Sequence, residues 1–452
     1  MIELSELHKE MLQELISLKQ IKKLREIFDE FNLIDLAEIV EQMELQEILF
    51  LFKTLKKDIT AEVFTYLTYE KKEEIIKSFT GPEITSMLDN LYADDIVDFL
   101  EEMPANVVKH VLAAATSEQR AEINLLLSYP EYSAGSIMST DFVELESKDT
   151  VGRAIEKLKK QGERAETISV SYVIDAKRLL VGSVILRDII LSDPDEIIEQ
   201  IMDTDIIAVK THDDQEEVAR IISKYDINVV PVVNDENRLI GIITVDDIID
   251  VLEEEVTEDI QKMAAIIPTE GSYLQMTIKE MTRSRIVWLL LLMISATFTG
   301  LIIEGYEAQL LIIPALAGAI PMIMSTAGNA GSQASTMVIR GIAVDDLTYK
   351  DYLKVLWKEL QVSLISGVVL FGANWVRLWV FKPGTAWQID LVISATLLLT
   401  VIVAKLVGGI LPLIAMFFKQ DPAAMAAPII TTIVDAVALI IYFNLAVAIL
   451  GI

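Results

Sequence analysis

The period of the hydrophobic positions changes twice along the chain. Up to about residue 130, apolar residues recur at i, i+3, i+4 and i+7 in short pieces, among them Asp35–Met43, Thr60–Leu67 and Asp94–Leu100. Turn signals such as Gly81-Pro82 and Met103-Pro104 separate the pieces. That spacing predicts a superhelical stack of small helices over residues 1–130. From 131 to 252, short β-branched runs alternate with helical stretches, and the pattern occurs twice. Ile137-Met138-Ser139-Thr140-Asp141 returns as Ile201-Met202-Asp203-Thr204-Asp205, and Leu180-Val181-Gly182 returns as Leu239-Ile240-Gly241. Each copy reads β-α-β-β-α. Residues 253–282 continue an acidic helix to about Ile266, broken at Pro268–Gly271 before an apolar region begins.

Residues 283–452 hold five apolar runs long enough to cross a bilayer: Ile286–Ile303, Gln309–Ile339, Gln361–Phe381, Ile389–Phe418 and Ala424–Ile449. Arg283 and Arg285 precede the first run; Arg340, Lys350, Lys354 and Lys358 follow the second, and Lys419 follows the fourth. The positive-inside rule then puts the N-terminal domains in the cytoplasm and the C-terminus outside, with Arg377 and Lys382 as minor exceptions. The fold class is a multidomain α-helical membrane protein: an acidic α-superhelical N domain, a tandem α+β pair, a connecting helix and five transmembrane helices. Five spans are few for a complete conduction path, and a homodimer with the path on its two-fold axis would supply the missing half.

Charge sharpens this division. Before Arg283 lie 28 of the 38 Lys and Arg and 59 of the 68 Asp and Glu, a net of −31; the remainder is near neutral. A negative field of that size disfavours nucleic acid and anionic lipid as partners and favours cations. Absence of cysteine excludes disulfides and thiolate sites, and three scattered histidines form no soft-metal cluster. Any bound metal is therefore expected to be a hard, oxygen-liganded ion. The N-terminus has neither a basic n-region nor an apolar h-region, so no cleavable signal is expected.

Candidate chemistry concentrates in the membrane region and in the acids. Asp435 stands near the middle of the last apolar run, where a carboxylate costs about 2.5–3.5 kcal/mol on insertion scales. Pro428, Thr431, Asp435, Ala438 and Tyr442 share its helical face, with Thr432 beside them. This stripe is an ion pathway or, more plainly, Asp435 is the structural partner of the buried-looking Lys405. In the second run Ser325, Asn329, Ser332 and Thr336 fall on one face, with Gln333 adjacent. Small residues there suit close helix packing, whereas amides and hydroxyls suit the water shell of a hydrated cation. Gly408, Gly409 and Pro412 in the fourth run predict a kink or an unwound turn that frees carbonyls near a pathway. Asp94 and Asp98 share a helical face, which a solvated surface would also explain. Asp246 to Asp259 contains eight acids in fourteen residues without a lysine; such a helix repels itself unless cations bridge it, or is simply solvated.

The tandem repeat closely resembles a pair of CBS modules, a regulatory fold that often binds adenine nucleotides. The nucleotide motif of that fold stands intact as Gly241-Ile242-Ile243-Thr244-Val245-Asp246-Asp247, while Ile185 replaces the threonine in the first copy. The resemblance implies ATP or another adenine nucleotide at Thr244 and Asp247, with Arg187 and Asp188 from the first copy. Taken whole, the chain resembles the MgtE family of magnesium channels. The most specific parts are Thr326–Gln333, the Gly408–Pro412 segment and Thr431–Asp435. The resemblance implies a plasma-membrane homodimer with one Asp435 from each subunit in the pore, and closure by cytoplasmic Mg²⁺. It carries sensor roles onto Asp247, Asp250, Glu255, Glu258 and Asp259, and further onto Glu62, Asp94, Asp98, Asp214, Glu216 and Asp226. Asp421 would be the membrane-side partner of the connecting helix. A membrane-tethered nucleotide sensor and an ion-coupled exchanger using Asp435 are the competing readings. No nucleophile–base set or phosphate-cradling loop suggests an enzyme.

Overall fold

A computed structural model describes residues 11–101, 103–269, 273–274, 276–344, 347–382, 384–425 and 427–451. Gly271, part of the expected break, lies outside them. The chain divides into two units, 1–252 and 253–452.

The first unit begins with helices of eight to ten residues, from Ile21–Glu30 to Ser117–Leu126. Their lengths are set by caps: Asn32 accepts from the Ile34 amide, and Thr80 with Glu83 and Thr116 with Gln119 form capping boxes. Leu36, Ile48, Phe52, Phe64, Ile76, Ile84 and Val97 are buried in their shared core, as the i, i+3, i+4 spacing requires. One of these helices, α1 (Ala93–Glu101), carries Asp94, Asp95 and Asp98.

Two three-stranded sheets follow: β1 (Glu144–Glu146), β2 (Val170–Ile174) and β3 (Leu180–Ile185), then β4 (Val209–Lys210), β5 (Val229–Val233) and β6 (Leu239–Thr244). In each, the first strand is parallel and the third antiparallel to the middle one. Both middle strands carry a register shift at the same place, Val173/Ile174 and Val232/Val233. The repeated motifs turn out to be each other's partners, crosswise. Ser139, at the head of the first copy, exchanges backbone hydrogen bonds of 2.8 and 2.9 Å with Ile242 on β6. Asp203, at the head of the second, exchanges bonds of 2.8 and 2.9 Å with Ser183 on β3. A Cβ on Gly241 would stand 2.8 Å from the Met138 sulfur, and one on Gly182 would stand 2.5 Å from the Met202 sulfur. Each glycine is thus the space its twin module's methionine fills, which ties the two copies into one body.

Helix α2 (Val245–Met263) continues from β6 across the boundary between the units. It ends three residues before the expected Ile266, and Ala265 takes a left-handed φ of 57°. The second unit then comprises α3 (Ile278–Gly305), α4 (Ile320–Val344), α5 (Tyr352–Phe381), α6 (Trp387–Phe417) and α7 (Ala427–Leu450). Among the described residues, four helical stretches are long and apolar enough to cross a membrane, those built on α3, α5, α6 and α7. The second apolar run is the exception. It is not one continuous element: a short helix (Glu307–Ile312) and a 3₁₀ turn (Pro314–Ala319) precede α4. The 25 residues of α4 extend about 37 Å at the helical rise, enough for a hydrocarbon core of roughly 30 Å. Its Ser, Asn, Gln and Thr face lowers its mean hydropathy.

α6 packs against α4, α5 and α7, burying Val392, Leu397, Val401, Ala404 and Leu413. α3, by contrast, exposes Leu289, Leu291, Met293, Ile294 and Phe298, a lipid-facing surface in a bilayer. No unwound turn forms at Gly408-Gly409; α6 is continuous with Pro412 inside it. The two glycines serve packing. A Cβ on Gly408 would lie 2.1 Å from the Gly331 carbonyl oxygen of α4, and one on Gly409 would lie 3.1 Å from Glu359 Cγ of α5. Part of the expectation survives, since proline removes the amide that Gly408's carbonyl would otherwise accept from. Gly408→Ala is expected to lower the midpoint of thermal unfolding in detergent, because the clash is with backbone and overpacking costs about 1–3 kcal/mol. Gly300→Ala, with open space around it, is the control that should leave the midpoint unchanged.

Candidate ion pathway and acidic cluster

In the membrane unit, α4 has two distinct faces. Ala327, Gly328, Ala330, Gly331 and Ala334 are buried and carry the helix packing. Ser325, Asn329, Gln333 and Thr336 are exposed, and Ser332 is half-buried. The packing seam and the amide–hydroxyl face are therefore different surfaces of one helix. α7 approaches the small face: Thr431 Cγ2 lies 2.9 Å, and Asp435 Oδ1 3.9 Å, from a Cβ position built on Gly328. Asp435 Oδ1 is buried without a hydrogen-bond partner. Asn329 Nδ2 donates to Ser325 Oγ at 3.5 Å. Thr431 and Thr432 both donate to the Pro428 carbonyl at 3.0 Å, so their oxygens keep acceptor capacity.

The polar stripe is shorter than the helical face suggested. Ala438 and Tyr442 are fully buried, and the Tyr442 hydroxyl donates to the Leu316 carbonyl at 2.9 Å. That end of the face is core. Nor is Lys405 the partner of Asp435: among the described residues no basic group lies in ion-pairing range of that carboxylate, and Lys405, 8 % exposed, is four residues from Gly409, whose Cβ position lies 3.1 Å from Glu359 Cγ of α5.

In the first unit, α1 brings Asp94 and Asp95 towards Asp247 at the start of α2 and Glu166 from the first CBS-like copy. A solvated surface explains Asp98, which is exposed, but not Asp94, which is 7 % exposed with an unpartnered Oδ1. Burial, then the neighbouring Glu166 and Asp247 charges, hold Asp94 well above the usual carboxylate range. Burial and Asp247 push Asp95 up to about 6, and burial with Asp247 and Asp95 pushes Glu166 up to about 8. Asp141, which accepts from the Ala93 amide at 3.3 Å, is raised to about 6 by burial and Glu122. Burial also raises Asp247, against the hydrogen bond of 2.6 Å it accepts from Thr244 Oγ1. Glu166 and Asp141 were missed in the sequence because they lie outside any acidic run.

The other expected ligands are dispersed. Asp214 caps the helix Gln215–Tyr225, accepting from the Glu216 amide at 2.9 Å, and Asp226, in left-handed conformation, closes its far end. Eleven residues separate them, or about 17 Å along the axis, too far to share one ion. Glu216 pairs with Arg220 at 3.3 Å. Glu62 and Asp250 are exposed; Glu255, Glu258 and Asp259 are half-buried along α2. Among the described residues no three His, Cys, Asp or Glu are gathered as a ready metal site. Asp421 is already engaged: Lys262 of α2 reaches both it and Glu258 at 2.6 Å, while its Oδ1 accepts from the Ala423 amide at 2.7 Å. Burial works to lower the Lys262 pKa, and those two carboxylates more than offset it, leaving it raised. Arg187, exposed, lies 3.6 Å from the half-buried Asp188.

Comparison with known proteins decides the lineage. Residues 320–445 match a family model described as MgtE, divalent cation transporter; 31–132 match the MgtE intracellular N domain, and 134–194 and 198–254 match the CBS domain. The chain is 36 % identical over 324 residues, 72 % of its length and 71 % of the relative's, to "Magnesium transporter MgtE" of Thermus thermophilus. The chain belongs to the MgtE family. Among solved structures, the soluble part of a magnesium transporter matches at 33 % identity and TM-score 0.53, covering 56 % of this chain and 99 % of that one. The cytosolic domain of the Mg²⁺ channel MgtE in complex with ATP matches at 34 % identity and TM-score 0.51, covering 54 % and 99 %. Membership agrees with a transporter rather than an enzyme, and with a helical N domain, a CBS pair and a helical membrane region.

The acidic cluster sets a pH dependence. Raised carboxyl pKa values mean that the folded state binds more protons than the unfolded state between about pH 4 and 8. Stability should therefore fall as pH rises through that window, the opposite of an ion-paired carboxylate. Thermal unfolding of the protein in chelator is expected to have a lower midpoint at pH 8 than at pH 5.5, and millimolar Mg²⁺ should narrow the gap. A midpoint that rises with pH would show that the cluster is not strained.

Proposed function

We propose that the protein is a homodimeric, Mg²⁺-selective channel of the cell membrane that imports magnesium and is closed by cytoplasmic Mg²⁺. The observation that carries this reading is that α4 exposes a Ser325–Asn329–Gln333–Thr336 face while α7 brings an unpartnered Asp435 oxygen against Gly328 of the same helix. Polar side chains at bilayer depth need water or a partner, and the packing seam of this helix is on its other side. Two such faces related by a two-fold axis would enclose a path of amides, hydroxyls and two carboxylates. Mg²⁺ dehydrates reluctantly, so donors of this kind suit the hydrated ion and hold it weakly enough to release it. The names of the relatives, which are magnesium transporters, favour this ion.

Closure follows from differential binding. Asp94, Asp95, Glu166 and Asp247 are crowded and under-compensated, so a divalent cation gains most where these carboxylates are close. Asp98, Asp214, Glu216, Asp226, Asp250, Glu255, Glu258, Asp259 and Glu62 add further carboxylates that cytoplasmic Mg²⁺ would bridge. Low internal Mg²⁺ leaves the acids in repulsion and the path open; high Mg²⁺ draws them together. The N-terminal domains lie in the cytoplasm and the C-terminus outside. An adenine nucleotide at Thr244, Asp247, Arg187 and Asp188 would bind at the CBS pair, as the ATP complex of the related cytosolic domain suggests.

Mg²⁺ uptake into proteoliposomes tests both halves. Asp435→Ala is expected to reduce flux at least tenfold, and a chain lacking residues 1–254 should conduct without shut-off by cytoplasmic-side Mg²⁺. Normal flux in Asp435→Ala would remove the pathway; retained shut-off in the truncated chain would remove the sensor. Flux that needs an opposing proton gradient would favour an exchanger.

A further inference from the structure

The connecting helix α2 carries eight acids and a single base, Lys262, in its last turn. Helix geometry favours a cation there: Glu258 stands one turn earlier, and the C-terminal end of the backbone dipole is negative. The ammonium lies 2.6 Å from Glu258 Oε1 and 2.6 Å from Oδ2 of Asp421, in the loop that leads from α6 into α7. Asp421 Oδ1 accepts from the Ala423 amide, so both oxygens of that carboxylate have donors. The chain around Lys262 is also fastened by contacts that involve no charge. The Thr269 amide donates to Gln261 Oε1 at 2.8 Å, and the Ile267 amide donates to the Ser284 carbonyl of α3 at 2.9 Å. Left-handed Ala265 turns the chain between them. Lys262 is accordingly held in place, with its side chain 24 % exposed. Glu258 and Asp421 touch the same nitrogen, so without it two carboxylates would face each other across little more than its width. A divalent ion at Asp421 would have to sit beside an ammonium, and its second charge doubles that repulsion.

We propose that Lys262 is a built-in cation that docks the end of α2 on the segment leading into α7, the helix that carries Asp435, without any divalent ion. The docking contact is then present at low cytoplasmic Mg²⁺, and the ions that close the path have only the remaining acids of α2 to neutralise. Removing the ammonium leaves Glu258 and Asp421 in repulsion, which pushes the helix end off the loop, so closure needs more Mg²⁺. Asp421 is thereby removed from the acids that bind an ion. The inference rests on the reading of cytoplasmic Mg²⁺ as the closing signal.

Mg²⁺ uptake by the full chain in proteoliposomes, titrated against cytoplasmic-side Mg²⁺, gives a shut-off midpoint. Lys262→Met is expected to raise that midpoint roughly threefold, the scale of a partly exposed ion pair, without reducing flux in chelator. Lys262→Arg should keep the wild-type midpoint. Lys262→Met combined with Asp421→Asn should lie no higher than Lys262→Met alone, because the facing charges are gone. Hydrogen exchange of residues 258–269 in chelator reads the docking without flux: it should be slow in the wild type and faster in Lys262→Met. A midpoint that is unchanged or lowered in Lys262→Met, or a double variant shut off less readily than Lys262→Met, overturns the proposal. A lowered midpoint would specifically make Asp421 an ion ligand that the ammonium obstructs. If the wild type shows no shut-off, the closing reading fails first, and unchanged exchange in Lys262→Met would then overturn the docking as well.

Discussion

A carboxylate withdrawn from water must find a counter-charge, a hydrogen-bond donor or a proton, or it costs several kcal/mol. This chain repeatedly creates that situation and leaves it incompletely resolved. Asp94 is buried with an unpartnered oxygen beside Asp95, Asp247 and Glu166. Asp435 is in the same condition between α4 and α7. Elsewhere the demand is met: Asp421 has Lys262 and the Ala423 amide. The contrast separates acids that hold the fold together from acids whose charge the fold leaves uncompensated.

The scaffold explains how such positions are tolerated. Short capped helices pack their apolar faces into a continuous core, so the loss at one buried aspartate is spread over a large body of hydrophobic burial. In the CBS pair, the crosswise lock of Met138 on Gly241 and Met202 on Gly182 makes the two modules one body. Glu166 from one module and Asp247 from the other are thereby held at fixed approach instead of relaxing apart. In the membrane unit the same service is done by glycine, which lets α4, α6 and α7 close on one another.

Much of this was legible in the chain. The doubled Leu-x-Gly and Ile-Met motifs located β3, β6 and the tandem repeat, though not the crosswise contacts between its copies, and the charge boundary at Arg283 fell near the start of the membrane helices. What failed shared a cause. Helical-face arithmetic assigned Tyr442 to a polar stripe, but its hydroxyl is spent on Leu316 across the core, a contact 126 residues away in sequence. Pro314 interrupts the second apolar run because it cannot donate within a helix, and the run's hydropathy concealed this. Lys405 looked like the partner of Asp435 because both are charges in apolar runs, but it shares a helical face with Gly409, which packs on Glu359 of α5. Lys262 and Glu166 gave no local signal, since a partner supplied by tertiary structure leaves no period in the sequence.

The meeting of Gly331 and Gly408 has a mechanical meaning. Where two helices touch through side chains, a displacement of one is absorbed by rotamer changes before the other feels it. Here α4 meets α6 backbone to backbone, with no soft layer between them. The helix bearing the amide face and the helix bearing Lys405 form a stiff joint at that point, and a shift of either must carry its neighbour along or break the contact outright. Such a joint has no intermediate setting, so a graded push arriving from elsewhere would be converted there into a step.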